Sequence, residues 1–200
     1  MHADSPIKNI NEFIAYAKAN PGLKYAAAGQ YSQQHMATEA FAKCKGLKFT
    51  HVPTKGGSAS INMFLGKHID FLAGSGSHIP YVKSGRFRMI LNYNYDPITL
   101  ARDSQFPDVP IPQDLGCEGA HFEPFMYYMM VVGPKGIPDT ISKMLIEAFK
   151  KASEGPDFQN LLTRLNYDYD FKDKTVLDKF IPESDEWHRK YFSKIGFKNQ

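Results

Sequence analysis

The sequence has few cysteines and no long apolar run. Two cysteines, Cys44 and Cys117, occur among 200 residues, and their wide spacing matches no metal-binding motif. We favour two separate thiols and keep a disulfide as the alternative. No stretch of about 18 consecutive apolar residues is present, so no membrane-spanning helix is predicted. Residues 1–6 lack the basic and then apolar pattern of a signal peptide. We therefore expect either a cytosolic protein or a chain that begins downstream of the natural start.

The chain also lacks a strong excess of charge. The 24 basic residues are scattered among 21 acidic ones, which leaves a net charge of +3. A nucleic-acid-binding protein usually gathers Lys and Arg on one face, so no nucleic-acid partner is predicted. The hydrophobic fraction of 42% and the aromatic fraction of 14% are typical of a folded globular protein.

Recognisable catalytic and cofactor motifs are absent as well. The sequence contains no G-x-S-x-G elbow, no P-loop and no H-E-x-x-H pattern. His35 and Glu39 have the i, i+4 spacing of two metal ligands on one helix face, but no third ligand is identifiable. We therefore predict no catalytic residue, no cofactor and no metal site, and we keep a small metal-dependent enzyme using His35 and Glu39 as an alternative. His51 and His68 are assigned structural roles.

What the sequence does contain is a threefold repeat of strand, Gly- and Ser-containing loop, and helix. The strands are predicted over 23–28, 47–53 and 69–73, the loops over 29–32, 54–58 and 74–77, and the helices over 32–45, from about 59 to 65, and from about 80 to 85. A fourth strand is predicted over 86–91. Such alternation is typical of crossover units in a parallel sheet. Because the carboxyl ends of parallel strands share one edge, the three loops should meet there.

The remaining segments are predicted mainly as helices. A first helix includes Ile10, Phe13, Ile14 and Ala17, with Asn9 or Asn11 as its cap. Residues 96–121 read as an extended connector with one helical turn at 113–115, and 123–132 as a buried, aromatic strand. Three amphipathic helices follow at 139–153, near 158–165 and at 176–195, the last continuing past Pro182.

The first loop ends where a helix begins, and a helix N-terminus presents unpaired N–H groups that can hold an anion. The functional interpretation is a site for a small carboxylate, and the alternative is an ordinary Ser cap with a polar first turn. The candidate ligand-binding residues are Gly29, Tyr31, Ser32, Gln33, Gln34, His35, Thr54, Gly56, Gly57, Ser58, Gly74, Ser75 and Ser77.

The order of motifs resembles one known family. The segments AAAGQYSQQHM at 26–36, HVPTKGGS at 51–58, IDF at 69–71, KSGRFR at 83–88, FPDVP at 106–110 and GPKGIP at 133–138 are similar to the solute-binding proteins of tripartite tricarboxylate transporters. The resemblance covers nearly all of the chain. It implies an α/β fold of the type II periplasmic-binding-protein kind, with a parallel-rich sheet flanked by helices.

The resemblance also implies a domain plan and a role. Residues 1–20 would form an entry helix, 21–122 the second ligand-binding lobe, 123–133 a crossover strand, and 134–200 the C-terminal helices of an incomplete first lobe. Members of the family usually carry a signal peptide and the first half of that lobe upstream. The expected protein is periplasmic, binds a dicarboxylate, tricarboxylate, amino acid or aromatic acid, and delivers it to membrane transporter subunits.

Some positions depart from the family pattern. Thr54 stands where the family often has Tyr, and the loop at 74–77 is one residue short and lacks a common Asp. The alternative function is a ligand-sensing regulatory domain of the same fold. The apolar faces of the helices at 139–153 and 176–195 also allow a homodimer.

Overall fold

Strands and helices alternate through the N-terminal part of the chain, as the repeat predicts. In the computed structural model, the described residues are 1–74, 76–93, 102–117, 130–165 and 169–195. The chain divides into two compact units, Met1–Tyr127 and Tyr128–Gln200. None of the described helices is long and apolar enough to cross a lipid bilayer.

The elements of the first unit follow the predicted order. They are α1 (Ile10–Ala19), β1 (Leu23–Ala26), α2 (Gln33–Lys45), β2 (Phe49–His51), α3 (Gly57–Leu65), β3 (Phe71–Leu72), a 3₁₀ turn (Gly76–His78), α4 (Ile79–Lys83) and a second 3₁₀ turn (Pro112–Leu115). The second unit contains α5 (Asp139–Ser153), α6 (Pro156–Leu165) and α7 (Lys174–Ile195).

The three strands form a parallel sheet in the order β2-β1-β3. Tyr25 in the central strand lies opposite His51 of β2 and Phe71 of β3. After β1 the chain forms β2 along one edge of β1. After β2 it crosses over and forms β3 along the opposite edge of β1. Open α/β sheets bind ligands at switch points of this kind, where the strand order reverses. The predicted α/β fold is confirmed.

Side chains on neighbouring positions of β1 reach opposite faces of the sheet, as the strand period of two requires. Tyr25 is fully buried among aromatic rings that include Phe71 at 5.1 Å and Phe49 at 6.1 Å between centroids. Ala26 faces a different buried cluster, which contains Ile61 and Phe64 of α3. Both faces of the sheet are therefore covered by packed side chains. A ligand would bind at the ends of the strands.

Local capping sets the bounds of the first two helices. The Asn9 side chain accepts a hydrogen bond from the Glu12 amide at 2.9 Å, which selects Asn9 as the cap of α1. Ser32 caps α2, and Gly46 ends that helix in the left-handed conformation with a φ of 64°. The predicted roles of Ser32 and Gly46 are confirmed.

The prediction of a fourth strand over 86–91 is wrong. Phe87 forms an isolated antiparallel bridge with His2, and no described residue from 88 to 91 belongs to a strand. The Arg88 amide donates to the Met1 carbonyl at 2.8 Å, and the Ala3 amide donates to the Arg86 carbonyl at 3.1 Å. The segment therefore pairs with the start of the chain instead of extending the sheet.

The preference for two separate thiols is also wrong. Cys44 and Cys117 form a disulfide across 73 positions of sequence, and no free cysteine is present. The Lys45 ammonium donates to the Leu115 carbonyl beside the disulfide. These contacts attach the predicted helical turn, observed at Pro112–Leu115, to the end of α2. Sequence spacing could not show this pairing, because the tertiary fold brings the two cysteines together.

The aromatic strand predicted over 123–132 falls mostly outside the described residues. Its last three residues, 130–132, are described and are not in a strand. Val131 and Val132 are 71% and 82% exposed, so this part of the prediction is wrong.

The three helices predicted in the second unit are confirmed. Helix α7 continues through Pro182, as expected. No described side chain of α5 is buried, and Met144 is 62% exposed. The apolar stripe that defines α5 in the sequence therefore lies at the surface of the described unit.

Candidate functional site

The first two loops meet at the carboxyl edge of the sheet through hydrogen bonds. The Thr54 hydroxyl donates to the Ala27 carbonyl, and the Gly56 amide donates to the Ala28 carbonyl at 2.8 Å. The third strand ends beside them, because the Ala73 amide donates to the Ala26 carbonyl at 2.9 Å. The convergence predicted from the parallel topology is therefore present in the backbone contacts.

The first loop leads directly into the N-terminus of α2. The Ser32 hydroxyl accepts from the His35 amide at 3.4 Å, while Gln33 and Gln34 lie half-buried in the first turn. The Thr38 hydroxyl donates to the Gln34 carbonyl at 2.7 Å. Amides at the start of a helix carry partial positive charge, so this end of α2 favours an anion.

Tyr31 has an unusual backbone in this loop. Its φ is 62°, in the left-handed region that residues with a Cβ seldom occupy, and its side chain is 55% exposed. The Ser32 amide donates to the Gly29 carbonyl at 3.2 Å and closes the turn around it. An aromatic ring is thereby placed at the surface beside the start of α2.

The second loop places glycine where α3 begins. Gly56 is the N-cap residue with a φ of 91°, a conformation that favours glycine, and it has no side chain to bond the first turn. Gly57 is the first residue of α3, and Ser58 is exposed in its first turn. The start of α3 therefore presents backbone amides next to the first loop.

The third loop is built around close contact between Gly74 and His78. A Cβ added to Gly74 would lie 1.7 Å from a ring atom of His78, so only glycine fits this position without movement. Ser77 lies in the 3₁₀ turn that follows, whereas Ser75 lies outside the described residues. Burial lowers the pKa of His78 to about 4.

Beneath the first two loops lies a buried layer of polar rings. His35 and His51 stack with ring centroids 4.1 Å apart, and the Tyr25 ring lies 5.1 Å from that of His51. The Tyr25 hydroxyl donates to Glu39 Oε1 at 2.6 Å. His51 Nε2 is buried and has no hydrogen-bond partner among the described residues.

The two imidazoles of this layer, those of His35 and His51, are neutral near pH 7. Burial and the neighbouring His51 lower the pKa of His35 to about 4. Burial also lowers the pKa of His51, against the opposing effect of Glu39. Burial and the hydrogen bond to Glu39 raise the pKa of Tyr25.

The metal alternative gains no support from the residues that the structure describes. These residues contain no group of three or more His, Cys, Asp or Glu side chains placed to hold a metal ion. Glu39 accepts the hydroxyl of Tyr25, and His35 Nδ1 accepts the Tyr31 amide at 2.8 Å. The two side chains proposed as metal ligands are therefore engaged in separate hydrogen bonds.

Sequence reasoning missed the buried layer and the role of His78. His51 reads as an ordinary strand residue, but its position at the end of β2 places it under the loops.

A cavity of about 180 Å³ lies elsewhere, at the amino ends of the strands, where Leu23 and Asp70 are among its lining residues. It is therefore separate from the candidate site.

A parallel α/β sheet with a switch point at its carboxyl edge is an architecture that many ligand-binding proteins share. The family model described as "Tripartite tricarboxylate transporter family receptor" (TctC) matches residues 1–197. The chain belongs to this family.

Two curated relatives are similar along most of the chain. A UPF0065 protein from Cupriavidus necator is 33% identical over 97% of this chain and 57% of its own length. A UPF0065 protein from Pseudomonas sp. strain P51 is 28% identical over 94% of this chain and 54% of its own length. The chain thus spans little more than half the length of these relatives.

Solved structures share the fold at lower identity. The periplasmic binding protein BugD has a TM-score of 0.75 and 22% identity, covering 100% of this chain and 65% of its own. MatC from Rhodopseudomonas palustris, solved with malate, has a TM-score of 0.70 and 20% identity over 93% and 63%. An R. palustris protein solved with adipate has a TM-score of 0.74 and 18% identity over 98% and 63%. The chain therefore has the fold of TctC-type periplasmic binding proteins.

Proposed function

We propose that this chain forms the carboxylate-binding lobe of an extracytoplasmic receptor that captures a small organic acid for a tripartite tricarboxylate-type transporter. The observation that carries the proposal is the joining of two helix starts at one sheet edge. Thr54 and Gly56 donate to the carbonyls of the two residues that follow β1, Ala27 and Ala28, so the first turns of α2 and α3 adjoin the same loop. Two sets of backbone donors then serve one anionic group.

The proposed contacts come from the loops and from the first helical turns. The backbone amides of Gln34, Gly57 and Ser58 would donate to the carboxylate. The hydroxyl groups of Ser32 and Ser58 would donate to it as well, and Tyr31 would form an aromatic wall beside it. Gly29, Thr54 and Gly56 shape the loops, while Gly74, Ser75 and Ser77 would contribute from the third. A hydrogen bond to a charged group contributes about 1.5–3 kcal/mol.

The ligand class is a dicarboxylate or a chemically related acid. Neighbours of the same fold were solved with adipate and with malate. The buried imidazoles below the loops are neutral near pH 7, so the attraction would come from backbone dipoles and hydroxyl groups.

The disulfide supports a location outside the cytoplasm. Disulfides persist in oxidising compartments such as the bacterial periplasm and are rare in reducing ones. The bond between Cys44 and Cys117 therefore fits a periplasmic receptor that passes its ligand to membrane transporter subunits.

A titration followed by NMR tests the proposal. The ¹⁵N-labelled chain is titrated to millimolar concentrations with malate, adipate, citrate, glutamate and benzoate in turn. We expect at least one acid to shift the amides of residues 32–35 and 57–58 in a saturable way. No shift at these amides with any of the five acids would overturn the proposal.

A pair of serine variants tests the site assignment. Replacing both serines, Ser32→Ala with Ser58→Ala, should weaken binding of the responding acid by about tenfold or more, through loss of hydrogen bonds to a charged group. The matched control is Ser84→Ala with Ser153→Ala. Ser84 is exposed and donates to the Tyr81 carbonyl, while Ser153 is half-buried and bonds to the Lys150 carbonyl and the Tyr169 hydroxyl. None of these described bonds involves the candidate loops. An equal loss in both pairs would contradict the assignment.

A further inference from the structure

We propose that His35 is a positioning residue whose unprotonated Nδ1 holds the backbone of Tyr31 in the conformation that shapes the carboxylate loop. The ligand at that loop rests on the proposed function, whereas the link between His35 and the loop does not. Protonation of this buried imidazole would release the loop.

The central contact is a single hydrogen bond between backbone and ring. The Tyr31 amide donates to His35 Nδ1 at 2.8 Å. The backbone amide of His35 in turn donates to the Ser32 hydroxyl at 3.4 Å. His35 therefore contacts both residues that join the loop to α2, one through its ring and one through its backbone.

Tyr31 needs such a contact because its backbone is strained. A tyrosine at a φ of 62° carries a steric cost that glycine would avoid. The sequence has tyrosine at this position, so other contacts must hold the turn. The His35 ring and the bond from Ser32 to the Gly29 carbonyl are two described contacts that do so.

The ring of His35 is itself held in place. The residue is 7% exposed, and its ring stacks on His51 with an angle of 22° between the planes. The Tyr31 ring lies 5.9 Å away on the loop side, and the Tyr25 ring lies 6.2 Å away on β1. Packing from three directions fixes where Nδ1 points.

The bond depends on the protonation state of the ring. A neutral imidazole can accept at Nδ1, but an imidazolium carries hydrogen at both nitrogens and would face the Tyr31 amide donor to donor. The titratable groups around the ring are His51 on β2, Tyr25 on β1, Glu39 on α2 and Tyr31 in the loop. Glu39 is hydrogen-bonded to Tyr25, and burial with His51 keeps the pKa of His35 at about 4.

NMR of the ligand-free chain tests the link directly. At neutral pH we expect His35 to carry its proton on Nε2, with a scalar coupling across the hydrogen bond between the Tyr31 amide nitrogen and Nδ1. The coupling should weaken as the pH approaches 4, where about half of the His35 rings are protonated, while the amides of Tyr25 and Ala26 stay protected. A proton on Nδ1 at neutral pH would overturn the proposal.

Two variants separate positioning from simple packing. The amide oxygen of His35→Asn can accept from Tyr31 without titrating, whereas His35→Leu fills space without an acceptor. We expect hydrogen exchange at the Tyr31 amide to quicken by about tenfold or more in the Leu variant and by much less in the Asn variant. Equal protection in both would overturn the proposal. If the Leu variant fails to fold, the tautomer and coupling of the unsubstituted protein still decide.

A ligand arm distinguishes this proposal from the proposed function. With malate as the probe, the Leu variant should bind about tenfold more weakly than the Asn variant. If malate fails to bind the unsubstituted chain while the coupling is present, the positioning role stands and malate is not the ligand. If malate binds all three proteins equally, His35 does not shape the binding loop and the proposal is overturned.

Discussion

Two glycines in the loops at the carboxyl edge differ in the space around them. A Cβ at Gly74 would lie 1.7 Å from the His78 ring, whereas a Cβ at Gly29 would lie 3.7 Å from its nearest neighbour, the Thr54 carbonyl oxygen. The first distance requires the ring to move, and the second is an ordinary contact. Glycine is therefore required by packing at one position and not at the other.

The matched substitutions should give different stabilities. Gly74→Ala should lower the free energy of unfolding by about 1–3 kcal/mol, because it forces His78 out of its packed position. Gly29→Ala should change it by less than about 0.5 kcal/mol. Urea unfolding followed by circular dichroism measures both. A larger loss for Gly29→Ala than for Gly74→Ala would show that this account of the loops is wrong.

Individual residues also show which features of the site can be predicted from the sequence. Ser32 and Gly46 were predictable because capping depends on the residue and its immediate neighbours. The left-handed backbone of Tyr31 was not predictable, because the His35 ring that accepts its amide is positioned by stacking on His51, which is distant in sequence. Whether the thirteen candidate residues bind a ligand stays a prediction.

At the scale of elements, the disulfide joins α2 to the 3₁₀ turn at Pro112–Leu115. Pro112 is fully buried and Ile111 is 2% exposed, so the turn packs well in addition to being linked. The Arg102 guanidinium donates to Asp114 at 2.6 Å, and Asp114 accepts the Ile111 amide at 2.9 Å. The disulfide attaches the connector to α2, and the charged hydrogen bond between Arg102 and Asp114 joins two parts of the connector itself.

Breaking the disulfide should destabilise this attachment. In the double variant Cys44→Ser with Cys117→Ser, we expect the free energy of unfolding to fall by about 2–4 kcal/mol, because the unfolded chain is no longer constrained. Urea unfolding with and without dithiothreitol measures the change. Reductant should lower the stability of the unsubstituted protein and leave the double variant unaffected. An unchanged midpoint in reduced unsubstituted protein would contradict the expectation.

The helices followed the sequence closely, whereas two strand predictions, over 86–91 and at 130–132, were wrong. Helices α1, α5, α6 and α7 match their apolar periodicity, and α2 matches its predicted Ser32 cap and its end at Gly46. The segment around Phe87 is as apolar as a strand, yet it pairs with His2 at the start of the chain. Periodicity shows that a segment can form a strand, but it does not show which backbone will be its partner.

At the scale of the whole molecule, one buried histidine, His35, and two half-buried ones, His51 and His78, make stability depend on pH. Burial lowers the pKa values of His35 and His78 to about 4, and it lowers that of His51 as well. Between about 4 and the ordinary value of 6.5, the unfolded chain binds protons that the folded chain does not. The free energy of unfolding must therefore fall as the pH is lowered through this window.

Urea midpoints measured between about pH 7.5 and pH 4.5 test this dependence. The midpoint should decrease steadily below about pH 6.5. His35→Asn should reduce the decrease, because one of the groups is removed. A midpoint that rises on acidification would contradict the assignment of neutral, buried imidazoles.

The sequence by itself determined the alternation of strands and helices, the caps, the Gly- and Ser-rich loops and the family. The first three features depend on residues close together in the chain, and the family is identified from the order of the motifs. The tertiary structure alone decided the strand order, the disulfide, the partner of the Phe87 segment and the histidine layer under the loops. Each of these depends on contacts between residues far apart in sequence, and periodicity and spacing carry no information about such contacts.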